Sequence, residues 1–152
     1  MKLKNPMLVV SDMEKSKTFY KQVLGLRVIA DFGANVTLTG GLALQTLDSW
    51  MGFIQKEVCF SGNDTEVYFE EEDFDQFLEK IAKLDAIQYV HQVYEHRWGQ
   101  RVVRIYDPDM HIIEVGESMK LVCRRFLDSG LSMEETAKRM DVSERFVRSC
   151  IR

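Results

Sequence analysis

The stretch from Val10 to Leu26 reads VSDMEKSKTFYKQVLGL and decides the fold. A short apolar strand ends at Asp12, whose side chain is a good cap for the first turn of a helix. Apolar side chains then recur at helical spacing, at Phe19, Tyr20, Val23 and Leu24. Gly25 is a natural C-terminal stop, so the sequence predicts a strand, a helix over 13–24 and a second strand that begins at Leu26.

The same pattern recurs in EVYFEEEDFDQFLEKI, residues 66–81, where a strand ends at the capping residue Asp73. The helix face that follows is marked by Phe74, Phe77, Leu78 and Ile81. Each copy continues with three strand-like runs separated by turns, at 26–30, 36–39 and 42–47 in the first copy and at 89–94, 101–106 and 112–115 in the second. The sequence therefore predicts two strand–helix–strand–strand–strand units over 5–60 and 66–117.

One such unit cannot bury both faces of its sheet, whereas two units, within one chain or across two chains, can curl into a cleft. We therefore predict an α+β fold in which two βαβββ modules form a curved mixed sheet cleft. We place this domain at 1–117 and a C-terminal helical appendage at 118–152.

Two segments resemble signatures of the vicinal-oxygen-chelate superfamily, which includes glyoxalase, bleomycin-resistance and dioxygenase-like proteins. The first is V-x-D-x-x-x-S-x-x-F-Y-x-x-x-L-G at residues 10–25, and the second is WGQR at 98–101 followed by DPDMHIIE at 107–114. Met110 stands where this superfamily usually has a turn glycine. That hairpin is therefore expected to use a different turn or to carry backbone strain.

The resemblance implies one divalent metal on the concave face of the sheet, with one ligand from each of four strands. The matched positions are Asn5, Gln45, Glu66 and Glu114. Strand alternation supports this set, since it places Asn5 on one face with Met7 and Val9. It likewise places Glu66 on one face with Tyr68.

The chemistry of these four positions differs from that of the superfamily, which usually supplies one or two histidines there. Two carboxylates and two amides are oxygen donors that suit magnesium, calcium or manganese better than zinc or nickel. A weak oxygen-ligated divalent metal is one interpretation. The interpretation we favour is that these groups hydrogen-bond one another or line a pocket without a metal. In either case Glu66 or Glu114 is the candidate general base.

Aromatic and basic side chains near the predicted cleft are candidates for ligand binding. The predicted ligand contacts are Asn5, Gln45, Tyr68, Trp50, Trp98 and Arg101, with Phe53, Phe60 and Tyr94 as further aromatic candidates and Arg97 and Arg104 as further anion-binding candidates. Packing in a core or dimer interface is the alternative for the aromatic side chains, and solvated strand faces are the alternative for the arginines. His91, His96 and His111 have no metal-binding spacing and are expected at the surface or in hydrogen bonds.

The C-terminal appendage is helical, with a break at Gly130 and a capping box from Ser132 to Glu135. The segment LSMEETAKRMDVSERFV at 131–147 resembles the helix-turn-helix of DNA-binding proteins, with Asp141 in place of the usual turn glycine. Arg145, Arg148 and Arg152 would then be available for phosphates. The second helix is short and the protein is acidic, so we favour a docking or dimer role over DNA binding.

Composition excludes several other classes of function. The chain has 152 residues and a net charge of -4, which gives no general attraction for nucleic acid. No apolar run approaches the ~20 residues that span a bilayer. We expect no membrane association and no signal peptide at the N-terminus. Three widely spaced cysteines, Cys59, Cys123 and Cys150, predict buried, reduced thiols and a cytoplasmic location.

Three functions follow from these observations. The first is a glyoxalase- or bleomycin-resistance-like protein that binds a small molecule in an aromatic cleft, with the reaction unassigned. The second is a metal-assisted lyase or isomerase of the glyoxalase type. The third is a ligand-responsive DNA-binding protein that uses the C-terminal helices. We favour the first, and we expect a homodimer because small proteins of this superfamily commonly complete their clefts across two chains.

Overall fold

In the computed structural model, which describes residues 1–151, the chain forms two compact units. The first unit comprises residues 1–66 and 106–112, and the second comprises residues 67–105 and 113–151. In the described part of the chain, no helix is long and apolar enough to span a membrane.

The first unit contains one complete βαβββ module and an additional helix. Its elements are β1 (Met7–Val10), α1 (Met13–Leu24), β2 (Val28–Asp31), β3 (Asn35–Leu38), a 3-10 turn (Thr39–Gly41), β4 (Ala43–Thr46) and α2 (Leu47–Ile54). The strand order is β1-β4-β3-β2, with β1 parallel to β4 and the remaining pairs antiparallel.

The predicted start and end of the helix in the first module are confirmed. The Asp12 side chain accepts a hydrogen bond from the Lys15 amide, and Gly25 ends α1 in the left-handed conformation at φ 70°. Along β1, burial alternates, so that Leu8 and Val10 are buried. Tyr20 and Val23 of α1 are also buried, which gives the sheet a helix-covered side and a more open side.

The second sheet repeats the strand order of the first. Its elements are β5 (Glu66–Glu71), α3 (Phe74–Ala82), β6 (Gln88–Glu95), β7 (Arg101–Tyr106) and β8 (Ile112–Glu117), and the order is β5-β8-β7-β6. All of these residues belong to the second unit except the strand ends Glu66, Tyr106 and Ile112. Asp73 caps α3 through the Gln76 amide. The predicted α+β fold of two βαβββ modules is therefore confirmed.

Three C-terminal helices complete the second unit: α4 (Met119–Asp128), α5 (Met133–Met140) and α6 (Glu144–Cys150). They share a core made of Val122, Cys123, Ala137, Met140, Val147 and Cys150. The predicted capping box between Ser132 and Glu135 is present. Asp141, between α5 and α6, adopts the left-handed conformation at φ 57°. The predicted Arg152 lies outside the described residues.

Three sequence predictions are wrong in detail. Asn5 precedes β1, which begins at Met7 because Pro6 has no amide hydrogen to donate to a strand neighbour. The chain after the predicted strand run 42–47, for which no further element was predicted in the first module, forms the helix α2 (Leu47–Ile54). Cys59 is exposed, whereas Cys123 and Cys150 are buried as predicted.

Candidate functional site

The turn from Tyr106 to Ile112, in the first unit, is organised by the buried carboxylate of Asp107. Its Oδ1 accepts hydrogen bonds from the amides of Asp109 and His111, both at 2.9 Å. Its Oδ2 accepts from the Tyr20 hydroxyl at 2.7 Å and from His111 Nδ1 at 2.9 Å. Because a carboxylate only accepts here, His111 must carry its proton on Nδ1.

These contacts shift the acidity of both partners. Burial alone would raise the pKa of Asp107, but the donors His111 and Tyr20 outweigh burial and hold that pKa below the ordinary 3.8. Burial, together with the nearby Asp107 charge, raises the pKa of Tyr20 far above its ordinary value. The turn is thus held by an ionised Asp107 and a neutral Tyr20.

Met110 completes this turn in the left-handed conformation, at φ 68°. Its amide donates to the Asp107 carbonyl at 3.0 Å, and the Asp107 amide donates to the His111 carbonyl at 3.0 Å. The strain expected for a residue that replaces glycine is therefore real. A non-glycine residue pays about 1 kcal/mol for this conformation.

Two of the predicted metal positions in the first unit are already hydrogen-bonded. Gln45 is buried, accepts from Asn35 Nδ2 at 2.8 Å and donates to the Ser49 hydroxyl. Asn5 is exposed and donates to the Gly41 carbonyl at 2.8 Å. This side of the first sheet therefore presents an uncharged amide–hydroxyl cluster.

In the second unit, Glu114 on β8 forms an ion pair with Arg104 on the neighbouring strand β7. The Glu114 side chain is 8% exposed and the Arg104 side chain is 21% exposed. A carboxylate this deeply buried needs a partner of opposite charge. Arg104 supplies that charge, which makes Glu114 a neutralised group rather than a free base.

Arg104 also contacts two side chains of the edge strand β6. Its Nη1 lies 3.2 Å from His91 Nε2 and donates to the Tyr94 hydroxyl at 3.0 Å. A guanidinium only donates, so His91 accepts through Nε2 and carries its proton on Nδ1, which lies 2.8 Å from the Gln92 carbonyl. Arg104 therefore connects Glu114 of β8 to His91 and Tyr94 of β6.

A chain of rings leads from Tyr94 into the loop between β6 and β7. The Tyr94 ring lies edge-on to His96 at 4.8 Å between ring centroids, and His96 stacks on Trp98 at 4.0 Å and 12°. Trp98 Nε1 donates to Gln100 at 3.1 Å. The rings of Tyr94, His96 and Trp98, which we call the aromatic ladder, thus present aromatic surface beside polar groups that are fixed by hydrogen bonds.

Gln100 joins the aromatic ladder to β5. Its Nε2 donates to the Tyr68 hydroxyl and to the Glu117 carbonyl, both at 2.8 Å. Tyr68 is 46% exposed and donates onward to Glu70 at 3.2 Å. Burial raises the pKa of Tyr68, as does Glu70, so its hydroxyl stays protonated and available as a donor. We call the connected side chains the polar–aromatic network: Tyr68, Glu70, His91, Tyr94, His96, Trp98, Gln100, Arg104 and Glu114.

Of the predicted site residues, the network contains Tyr68, Trp98 and Glu114, together with the further candidates Tyr94 and Arg104. Arg101 is on the other face of β7, where it bonds Asp75 at 2.8 Å and Glu117 at 2.8 Å and lies over the Phe74 ring. These two carboxylates raise the pKa of Arg101 and neutralise its charge.

Of the remaining predicted positions, all but Arg97 belong to the first unit. Glu66 is exposed at the start of β5, and Trp50 is half-buried in α2. Among the further candidates, Phe53 is exposed and Phe60 packs edge-on against His111, with 6.1 Å between ring centroids. Arg97 is exposed and pairs with Asp141 at 3.4 Å.

The donor set implied by the resemblance does not fit a divalent metal. Gln45 uses its oxygen to accept from Asn35, and Glu114 is neutralised by Arg104. Among residues 1–151, no three histidine, cysteine or acidic side chains are grouped to hold a metal ion. We therefore derive no chemistry through a metal.

Gln100 and His96 are the main residues that the sequence reasoning missed as site components. Gln100 is 4% exposed, and its amide occupies the space where Gly116 has no side chain. The WGQR motif contained the signal for Gln100, since a polar residue fixed between Trp98 and Arg101 must find partners when buried. His96 carried no comparable signal, because its stacking partner is set by the loop conformation.

Two βαβββ modules of identical strand order define a protein of the vicinal-oxygen-chelate class. The glyoxalase-like domain family matches residues 3–120, and the chain therefore belongs to that family. No curated protein matches the chain significantly.

Solved structures agree with this assignment. A protein of unknown function from Agrobacterium tumefaciens str. C58 is 35% identical, with a TM-score of 0.70 over 78% of this chain and 95% of that chain. A glyoxalase-related enzyme from Fulvimarina pelagi is 16% identical, with a TM-score of 0.66 over 77% of this chain and 88% of that chain. A lactoylglutathione lyase from Agrobacterium tumefaciens, 22% identical with a TM-score of 0.61 over 77% of this chain and 93% of that chain, shares the fold.

Proposed function

We propose that this protein binds a planar small molecule on the face of the second sheet that carries the polar–aromatic network. The observation that carries the proposal is the continuous path of contacts from Glu114 through Arg104, Tyr94 and His96 to Trp98. Binding sites of this kind combine aromatic surface with a few fixed polar groups. In this proposal Tyr68 and Trp98 contact the ligand, and Gln100 holds both of them.

The chemistry of the network favours a neutral or weakly acidic ligand with ring character. Arg104 is neutralised by Glu114, so it offers no free charge for a strongly anionic group. Exposed ring surface remains on Tyr68 and Tyr94, which are 46% and 41% exposed. Such rings stack on planar molecules, while the Tyr68 hydroxyl can hydrogen-bond them. Asn5, Gln45, Trp50, Glu66 and Arg101 form no part of this proposed site.

Titration with methylumbelliferone, a planar hydroxylated probe, tests this proposal through the anisotropy of probe fluorescence. We expect saturable binding that weakens on the order of 10-fold in Trp98→Ala, since removal of an aromatic anchor costs about 1.4 kcal/mol or more. Trp50→Phe is the matched control and should bind the probe as the wild type does. Absence of saturable binding, or equal loss in both variants, would contradict the proposal.

A second candidate function is DNA binding through the C-terminal helices, although we favour the first. The observation behind it is the left-handed Asp141 between α5 and a helix capped by Ser143, which is the arrangement of a helix-turn-helix. Arg145 and Arg148 are exposed on α6, but Glu144 pairs with Arg148 at 3.4 Å. Binding to random duplex at low salt tests it, because non-specific attraction should appear there first, and no affinity would exclude this function.

We also propose that the protein is a homodimer. Strand β2 is at the edge of its sheet and exposes Val28 and Ile29, at 41% and 62%, and Phe32, which directly follows the strand, is 77% exposed. Exposed apolar edges of this kind are usually covered by another chain. Sedimentation equilibrium should give twice the chain mass, and a stable monomer at micromolar concentration would refute the dimer.

A further inference from the structure

The loop between β6 and β7 is held by the C-terminal helices, all within the second unit. The Arg97 carbonyl accepts a hydrogen bond from Arg139 of α5, and the Gly99 carbonyl accepts one from Arg125 of α4. The loop closes on itself as well, since the Gly99 amide donates to the His96 carbonyl at 2.8 Å. Two guanidinium groups therefore fix the backbone on both sides of Trp98.

Phe126 of α4 fills the space beside this backbone. Gly99 adopts φ 87°, and a β-carbon there would overlap the Phe126 ring. The guanidinium groups of Arg125 and Arg139 lie 5.8 Å and 5.1 Å from the centre of the same ring. Only glycine at position 99 allows this close approach between loop and helix.

The two arginines are themselves anchored. Arg125 pairs with Glu117 at 3.3 Å, and Glu117 also accepts from the Arg101 amide at 3.0 Å. Arg139 lies 3.7 Å from Glu95 at the end of β6. The helices thus contact β6 directly and β7 through Glu117 of β8, so a movement of the loop would disturb these pairs.

We infer that Phe126, Arg125 and Arg139 are positioning residues for the ligand site, acting through the loop that carries His96 and Trp98. The part of this inference that concerns ligand affinity rests on the proposed function. By thermodynamic reciprocity, a ligand that contacts Trp98 must stabilise the contacts of the loop with α4 and α5, just as those contacts favour the ligand. The C-terminal helices thereby gain a role in binding rather than in folding alone.

The test separates positioning from simple packing by using Trp98 as a reporter. A Trp50→Phe background leaves Trp98 as the single tryptophan, because the chain has two. Phe126→Ala is compared with Leu127→Ala, since both side chains pack against the core of α4, α5 and α6 but only Phe126 meets Gly99. His96→Gln supplies the Trp98 emission expected when the stack on His96 is lost.

We expect Phe126→Ala to move the Trp98 emission toward that of His96→Gln and to weaken methylumbelliferone binding about 5-fold or more. Leu127→Ala should leave both readouts unchanged even where it lowers the unfolding free energy equally. Phe126→Leu, which keeps bulk beside Gly99, should restore part of the wild-type emission. Equal emission and equal affinity in Phe126→Ala and Leu127→Ala would overturn the inference.

A surface pair keeps the test informative if Phe126→Ala does not fold. Arg139→Gln removes the donor to the Arg97 carbonyl, and Arg148→Gln removes an arginine of α6 that pairs only with its own helix among the described residues. Altered Trp98 emission in Arg139→Gln but not in Arg148→Gln supports the positioning role, and identical emission in both variants refutes it. If the wild type binds no probe while the emission still separates the variants, the proposed function fails and the positioning role stands.

Discussion

Two buried carboxylates, one in each unit, are held by opposite means. Asp107 in the turn of the first unit is surrounded by hydrogen-bond donors: two backbone amides, the Tyr20 hydroxyl and His111 Nδ1. Glu114 in the second unit is paired with the cation Arg104. The first arrangement uses every acceptor position to close a turn, whereas the second connects its carboxylate to rings that remain partly exposed. The difference separates a group that maintains the fold from one that is part of a binding surface.

The largest effect should come from removing the first carboxylate. Asp107→Ala deletes four hydrogen bonds and leaves the buried Tyr20 hydroxyl without its acceptor, so the unfolding free energy should fall by about 4 kcal/mol. Urea denaturation followed by circular dichroism measures this. Asp75→Ala, which removes an ion pair whose carboxylate is 73% exposed, should change stability far less, because solvent screens an exposed ion pair. Similar losses of unfolding free energy in Asp107→Ala and Asp75→Ala would show that Asp107 stabilises the fold no more than an exposed ion pair does.

The second carboxylate should behave differently because its partner can be removed with it. Glu114→Leu leaves Arg104 without its counter-charge and should cost about 3 kcal/mol, whereas Glu114→Leu combined with Arg104→Leu should regain much of that loss. A double-mutant cycle from denaturation curves gives the coupling. Additive losses would mean that Arg104 and Glu114 do not act as a pair.

Acid should weaken the Asp107 turn by a smaller amount, since a protonated carboxyl still accepts hydrogen bonds. The pKa of Asp107 is lowered in the fold, so its contribution is complete above the ordinary carboxyl value of 3.8 and is lost as the pH falls through the lowered value. The stability difference between wild type and Asp107→Asn, measured from about pH 6 to about pH 3, should therefore shrink at the acid end. A constant difference would contradict this account.

The smallest change is expected at Met110. Glycine would relieve about 1 kcal/mol of left-handed strain but add about 0.5–1 kcal/mol of backbone entropy loss, so Met110→Gly should be nearly neutral. Met110→Val, which places a β-branched residue at positive φ, should be clearly destabilising. Thermal melting of both variants checks the pair, and a gain of several degrees in Met110→Gly would show that the strain is larger than this.

The sequence determined most of the fold because its signals are local. Asp12 and Asp73 cap their helices as predicted, and Gly25 ends α1 in the conformation that glycine favours. The helix α2 was missed because its cap residue, Thr46, makes no side-chain hydrogen bond to it and because Gly52, a poor helix former, lies inside it.

The candidate site was harder to predict, since its contacts depend on which strands become neighbours. Glu114 was expected to be a metal ligand or a base, and only the pairing of β7 with β8 brings Arg104 to it. Arg101 and Arg104 look alike in the sequence. Three residues apart on one strand, they lie on opposite faces of the sheet and contact different carboxylates.

The contacts of Arg125, Phe126 and Arg139 with the loop around Gly99 determine where this protein can be shortened. The match to the glyoxalase-like family stops at residue 120, just inside α4, yet the donors to the loop carbonyls are Arg125 and Arg139. A shortened chain that kept only the shared domain would lose these donors along with Phe126. The family match therefore ends before the contacts that hold the loop do. An engineered fragment should keep α4 and α5 rather than stop at residue 120.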